Sequence, residues 1–366
     1  MVNKKLIVIA KSAPPAFCGM SDYSYQVAKS LSRFYESVEI AVAELPPLVP
    51  ESTNQFPVKL FSEVLNKVIK SADAYDVLLN YTPASYARSG WPIKLISLLN
   101  KVKKANVNNK LFVHFHESWN GGANLKLHHA IRDKFTKSSM HRIGKMADKI
   151  AVFTEGQKEK FETLGFKNIH FAPIGSSISP LTEDAGLQSI RKEGYWIVFG
   201  LAHTRLWTFE AHLQFLKKMY ADGTLRHLIT VGPVDDSNAI KEAELIANNL
   251  DKEVLMQLGP LPPEEVSGQL LNAQAALIGQ NFGNLQKSSS FAALAAHAIP
   301  VICEVPETMS IPPANTIFLP SDVISNAAVL SNKEGYQKRK LLHEWFWATR
   351  SWDAIGENMH NWMVNE

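Results

Sequence analysis

KLIVIAKSAPPAFCGMSDYSYQVAKSLSRF, residues 5–34, decides the fold class. Leu6 to Ala10 are apolar at every position, without the in-out alternation of a half-exposed strand. That pattern marks a strand covered on both faces, as in a parallel sheet flanked by helices. A loop with Pro14, Pro15 and Gly19 follows. Residues 21–34 then read as a helix.

The same unit recurs along the chain. Further strand expectations are VEIAVAE (38–44), DVLLNY (76–81), KLFVHFHE (110–117) and KIAVFTE (149–155). A second series comprises YWIVFGL (195–201), HLITVG (227–232), EVLMQLG (253–259), QAALIGQ (274–280), IPVICEV (299–305) and TIFLPS (316–321). Helical patterns lie among them at 208–223, 262–273 and 288–298, and Asp222-Gly223 stops the first of these. Strand–helix alternation in two blocks points to two doubly wound α/β domains. The break is expected in the polar stretch 176–194, giving domains over 1–180 and 193–345. The tail 336–363 reads as one or two helices and holds four of the eight tryptophans, which serve as packing anchors.

With 366 residues, 46% hydrophobic and 20% charged, the chain is neither disordered, fibrous nor a disulfide-stapled miniprotein. Its two cysteines, Cys18 and Cys303, give no framework of bridges, as in a reducing compartment. Leu6–Ala10 is too short for a signal-peptide core, and no run reaches the ~18–20 apolar residues of a membrane span. A cytoplasmic protein is therefore expected. Charge is unevenly placed. Residues 1–180 hold 24 Lys and Arg against 14 Asp and Glu, and residues 181–366 hold 14 against 21. The basic half suits an anionic partner, either a phospholipid surface or nucleic acid. Lys94, Lys101, Lys103, Lys104 and Lys110 around PIKLISLLNKV (92–102) are the expected peripheral membrane face, with an ordinary surface helix as the alternative.

Four places carry chemistry. Gly19 lies at the carboxyl end of a strand, where it serves either a close ligand approach or a plain turn. No G-x-G-x-x-G and no Walker loop is present. In VHFHESWNGG (113–122), alternation places His114 and His116 on one face. No third metal ligand stands at suitable spacing, so His116 is the acid/base or orienting candidate and His114 fits a core position. Arg205, just after strand 195–201, could meet a diphosphate or be a surface arginine. The sharpest feature is GQNFGNLQKSSSFAALAAHAIPVI (279–302). Here Lys287 and the serines Ser288, Ser289 and Ser290 open an alanine-rich helix, an arrangement for binding an anion or simply for capping.

These segments, in this order, resemble the group-1 glycosyltransferases (glycogen-synthase-like, family 4), of GT-B architecture. GMSDYSYQVAKSL (19–31) is similar to the family's glycine loop and first helix. NYTPASYARSGWPIKLISLL (80–99) and HFHESW (114–119) resemble segments of its first domain, and ADKIAVFTEGQKEKFETLG (147–165) with FAPIGSSI (171–178) the end of that domain. FGLAHTRLWTFEAHLQFL (199–216) and GPLPPEEVSGQLLNAQAALIG (259–279) resemble its nucleotide-binding half. RSWDAIGENM (350–359) resembles the closing helix, so residues from about 346 to 366 are expected to cross back to the first domain.

The resemblance implies sugar transfer from a nucleotide-diphospho sugar, with no metal and no cofactor beyond that co-substrate. It places Gly19 near donor or acceptor and His116 beside the transferred sugar. It places Arg205, Lys287 and the N–H groups of Ser288–Ser290 on the diphosphate. The expected acceptor is an envelope polysaccharide or lipid-linked glycan, in polysaccharide biosynthesis at the cytoplasmic membrane face. Modified DNA is the alternative, and a non-catalytic binding protein the second alternative. The last is motivated by a departure: the family's paired glutamates fall here on Leu285 and Ala293.

Overall fold

The structure, a computed structural model, describes residues 4–16, 19–46, 55–121, 127–234, 236–279, 282–305 and 314–365. Cys18 lies outside them. The chain divides into two compact units, one of Met1–Pro173 with Trp352–Glu366 and one of Ile174–Ser351.

The first unit holds an all-parallel sheet of β1 (Lys5–Ala10), β2 (Ser37–Val42), β3 (Val58–Leu60), β4 (Tyr75–Tyr81), β5 (Lys110–Phe115), β6 (Lys149–Val152) and β7 (His170–Phe171). Their order is β3-β2-β1-β4-β5-β6-β7. The strands expected from their apolar runs all form, and β3 and β7 are additions too short to show in the sequence. Every residue of β4 is buried, as sheet coverage on both faces requires. Ile7, Ile9, Val77, Leu79, Val113 and Phe115 build a core on one face, against the helix Ile93–Ala105. The closing helix, Trp352–Val364, belongs to this unit and packs on the helix Gly19–Leu31.

The second unit holds β8 (Lys192–Phe199), β9 (His227–Val231), β10 (Leu255–Gln257), β11 (Ala273–Leu277) and β12 (Val301–Ile302), parallel in the order β10-β9-β8-β11-β12. Successive residues of β8 enter opposite cores, Ile197 on one face and Trp196 and Val198 on the other. One expectation changes here. TIFLPS is not a strand: Phe318 makes a single bridge to Ile302, and Pro320 then opens the helix Pro320–Ser325. The stretch 176–194 is tied into the second unit: Arg191, half-buried in it, donates to the backbone oxygens of Gly186, Leu270, Ala273, His297 and Ala298. It thereby caps the carboxyl ends of the helices Pro263–Asn272 and Ser289–Ala296, where the helix dipoles favour a cation. The tail forms two helices, Lys333–Thr349 and Trp352–Val364. Among the described residues no helix is long and apolar enough to cross a membrane.

Candidate functional site

In each sheet the connections leave one central strand pair in opposite directions, at β1/β4 and at β8/β11. Outside the carboxyl ends of such strands an open α/β sheet binds its ligands. The candidate residues gather at these two places.

In the first unit, β5 ends at Phe115 and His116 follows, half-buried. Its backbone is fixed from both sides, with N–H donating to Tyr81 O at 3.0 Å and C=O accepting from Gln157 Nε2 at 3.0 Å. Its ring Nε2 lies 3.0 Å from Asn80 Oδ1. With that oxygen as acceptor, Nε2 carries a proton. Tyr23 and Phe153 hold the ring by edge contacts, with centroids 5.1 and 4.9 Å away.

His114 does share the face of His116, with centroids 4.7 Å apart. It is fully buried, and neither ring nitrogen has a hydrogen-bond partner. Burial, then the neighbouring His116 and His170, push its pKa well below the ordinary histidine value, so it is neutral. Asn80 Nδ2, on the paired strand position, is also buried without a partner. Among the described residues no three His, Cys, Asp or Glu side chains converge as metal ligands. Gly19 is the exposed first residue of its helix, and a Cβ there would meet nothing within 4 Å. The turn itself makes no steric demand for glycine at this position. Asp22, in the same first turn, has its carboxyl pKa raised by burial.

In the second unit the chain turns sharply after β8 and β9. Gly200 (φ 143°) and Gly232 (φ 134°) sit in the region that favours glycine. A Cβ on Gly232 would lie 2.2 Å from Gly200 O, and one on Gly200 would lie 3.0 Å from Ser290 Oγ. The β8 turn thus abuts the start of the helix Ser289–Ala296. Ser288 caps that helix, its Oγ accepting from Phe291 N at 3.1 Å. The N–H groups of Ser289 and Ser290 have no acceptor among the described residues. Lys287 is exposed one residue earlier and makes no ion pair among them. Arg350 steadies this loop by donating to Gln286 O at 3.1 Å.

Arg205 does not join this group. It is 1% exposed, with Nε 2.9 Å from Glu242 Oε1 and Nη1 donating to Gly200 O and Pro233 O. Its donors serve the two glycine turns from beneath, so the expected contact with a diphosphate gives way to a supporting role. The signal was Glu242, 37 residues away, which only the fold brings near. At the positions of the family's paired glutamates, Leu285 and Ala293 are buried in the core, where a carboxylate would be costly. Sequence reasoning also missed Tyr23, Asn80 and Gln157. Asn80 stands inside an apolar strand, and that interruption was the one available signal.

No family model matches the chain. Over 128 residues it is 27% identical to a threonine–tRNA ligase of Borrelia turicatae, covering 34% of this chain. It spans about a fifth of that relative's length, 21%. Solved structures are similar over the whole chain. HepE from Anabaena, in complex with UDP and glucose, has a TM-score of 0.67 at 8% identity over 100% of both chains. Sucrose-phosphate synthase from Thermosynechococcus elongatus has a TM-score of 0.64 at 14% identity, over 99% of this chain and 98% of that one. The lipopolysaccharide outer core galactosyltransferase WaaB has 0.58 at 14%, over 98% and 99%. The two parallel, Rossmann-like units and these likenesses establish the GT-B fold.

Proposed function

We propose that the chain is a glycosyltransferase that moves a sugar from a nucleoside-diphospho sugar to a glycan acceptor. The observation that carries this is the arrangement at β8/β11: a glycine turn, two helix N–H groups without an acceptor among the described residues and an exposed lysine at one strand-end site. A diphosphate leaving group gains negative charge as the glycosidic bond breaks. Aligned N–H groups, the positive helix end and Lys287 stabilise that charge with no need for a metal. His116, fixed by Asn80 and held by Tyr23 and Phe153, is the group of the first unit suited to orient the transferred sugar. UDP is the first donor base to test, since HepE is seen with UDP and with UDP-glucose.

The acceptor we propose is an envelope polysaccharide or lipid-linked glycan at an anionic membrane surface. The segment 92–102 does not supply that surface, because Leu95, Ile96, Leu98, Leu99 and Val102 are core residues and Lys103 pairs with Asp148 at 2.6 Å. A better face is the helix Leu127–Met146. Leu127, Ile131 and Phe135 recur every four residues and are 78%, 48% and 47% exposed. At 100° per residue, Lys134, Arg142 and Lys145 project on the same side. Exposed apolar residues flanked by cations suit an anionic bilayer. Flotation with phosphatidylglycerol vesicles, lost in Ile131→Glu and absent with phosphatidylcholine, tests this face. Modified DNA as acceptor would instead give a gel shift weakened steeply by salt.

The reaction is tested by release of UDP from UDP-glucose and UDP-galactose, and it should disappear in Lys287→Ala and His116→Ala. The buried Leu285 and Ala293 favour a second reading, a binding protein without turnover. Tight UDP binding with no release from any donor would establish that reading and overturn the first.

A further inference from the structure

The tryptophan-rich tail has a feature that the proposed reaction does not use. On the first unit, the helix Trp352–Val364, the loop before β7 and the end of the helix Leu127–Met146 enclose a cavity of about 670 Å³. Lys149 and Ile150, among its lining residues, open β6, so it lies at the amino ends of the strands. The site of His116 is at their carboxyl ends, six residues of β5 away, or about 20 Å.

Its lining is rich in amides. Asn358 and Asn361, at i and i+3, share one face of the helix, and Asn365 follows just past its end. Asn168 faces them from the loop, in a left-handed conformation (φ 55°) that asparagine tolerates. An aromatic wall completes it. Trp362 stacks on His170, with centroids 5.2 Å apart and planes 12° from parallel, and His170 Nε2 lies 2.8 Å from Asn358 Oδ1. The wall is held in place, since Lys149 Nζ donates to Trp362 O at 2.8 Å and also to Asn365 O.

Little free charge faces the cavity. Lys149 is engaged with carbonyls, and Asp148 is paired with Lys103 at 2.6 Å and Lys110 at 3.8 Å. Lys167 remains. A polyanion would find Lys167 and the ammonium of Lys149, the latter already directed at two carbonyls. An apolar ligand would cover amides without pairing them. A sugar fits both features: each hydroxyl donates and accepts as an amide does, and the C–H face of the ring packs on aromatic carbon.

We infer that this groove is an accessory binding site for a neutral oligosaccharide. It goes beyond the proposed transfer reaction and stands without it. A protein that works on a growing glycan would use such a site to hold a distant part of the chain, raising the effective concentration of the acceptor end.

Saturation-transfer NMR on the full chain tests it, with maltoheptaose, cellohexaose, chitohexaose and a sulfated heparin hexasaccharide as probes. At least one neutral oligosaccharide should bind in the millimolar range or tighter. The Asn361→Leu/Asn365→Leu double variant should weaken it at least tenfold. A Trp362→Phe variant, which keeps the stack, should weaken it less than Trp362→Ala. The UDP-induced thermal shift is read in parallel and should be unchanged in the double variant, so loss of one site is told apart from loss of the other. No binding by any neutral probe, equal binding by the double variant, or preference for the sulfated probe would each overturn the inference.

Discussion

The two units solve the same topological problem with different material. Each places its candidate site at a strand pair where the connections diverge. The first unit builds its site from side chains, with His116, Asn80, Tyr23 and Phe153 held by ring contacts and the His116–Asn80 hydrogen bond. The second builds it from backbone: two glycine turns, a serine cap and helix N–H groups without an acceptor among the described residues, with the exposed Lys287 beside them. The deeply buried cation of the second unit, Arg205, supports the glycine turns, and the proposed site uses the solvent-exposed Lys287. Arg205 and Lys287 are therefore expected to respond oppositely to substitution.

The largest effect should come from Arg205. Replacing it with alanine leaves Glu242 as a buried carboxylate without its counter-ion, with Gln257 Nε2 still donating to it, and frees the two turns Arg205 holds, a loss of about 3–5 kcal/mol in unfolding free energy. Urea unfolding followed by tryptophan fluorescence would show it. Lys287→Ala should leave stability within about 0.5 kcal/mol, as for an exposed residue. It should instead cost about 1.5–3 kcal/mol of UDP affinity, or roughly 10- to 150-fold, measured by calorimetry. Equal stability losses for the two variants would erase the distinction.

Acid should test both units in one direction. Burial depresses the pKa of His297 to about 4 from 6.5, and that of His114 well below it. The unfolded chain then binds more protons below about pH 6.5, so stability is full above that value and falls as the pH drops towards the folded pKa. His297 alone accounts for about 2 kcal/mol between pH 6.5 and 5. Unfolding midpoints at pH 7 and pH 5 should differ accordingly, and His297→Gln should flatten the dependence.

Much of this was legible in the sequence. The strands were, because apolar runs covered on both faces have few other readings, and the loop 286–290 was, because lysine and serines sit directly before an alanine-rich helix. What stayed hidden depends on distant partners. Nothing near Arg205 announces Glu242, and Arg191 reads as a linker residue until five carbonyls converge on it. Asn80 and Gln157 matter only because folding brings both to His116.

Smaller effects sharpen the contrast. Asn80→Leu should release the ring of His116 and lower turnover several-fold, with UDP affinity unchanged, because the proposed donor anchor lies in the other unit. Ser288→Ala removes the helix cap and should cost about 1 kcal/mol of stability. It should weaken UDP less than Lys287→Ala does.

The central claim, that the second unit grips a nucleoside diphosphate through its backbone and Lys287, is tested most directly by thermal unfolding with UDP, GDP, ADP, CDP and dTDP beside the Lys287→Ala variant. A ligand at 100 times its dissociation constant stabilises by about 2.7 kcal/mol, or about 5–10 °C for a unit of this size. One nucleotide, expected to be UDP, should raise the wild-type midpoint, with the shift lost in Lys287→Ala. No shift with any of the five, or a shift that survives in the variant, would contradict the claim.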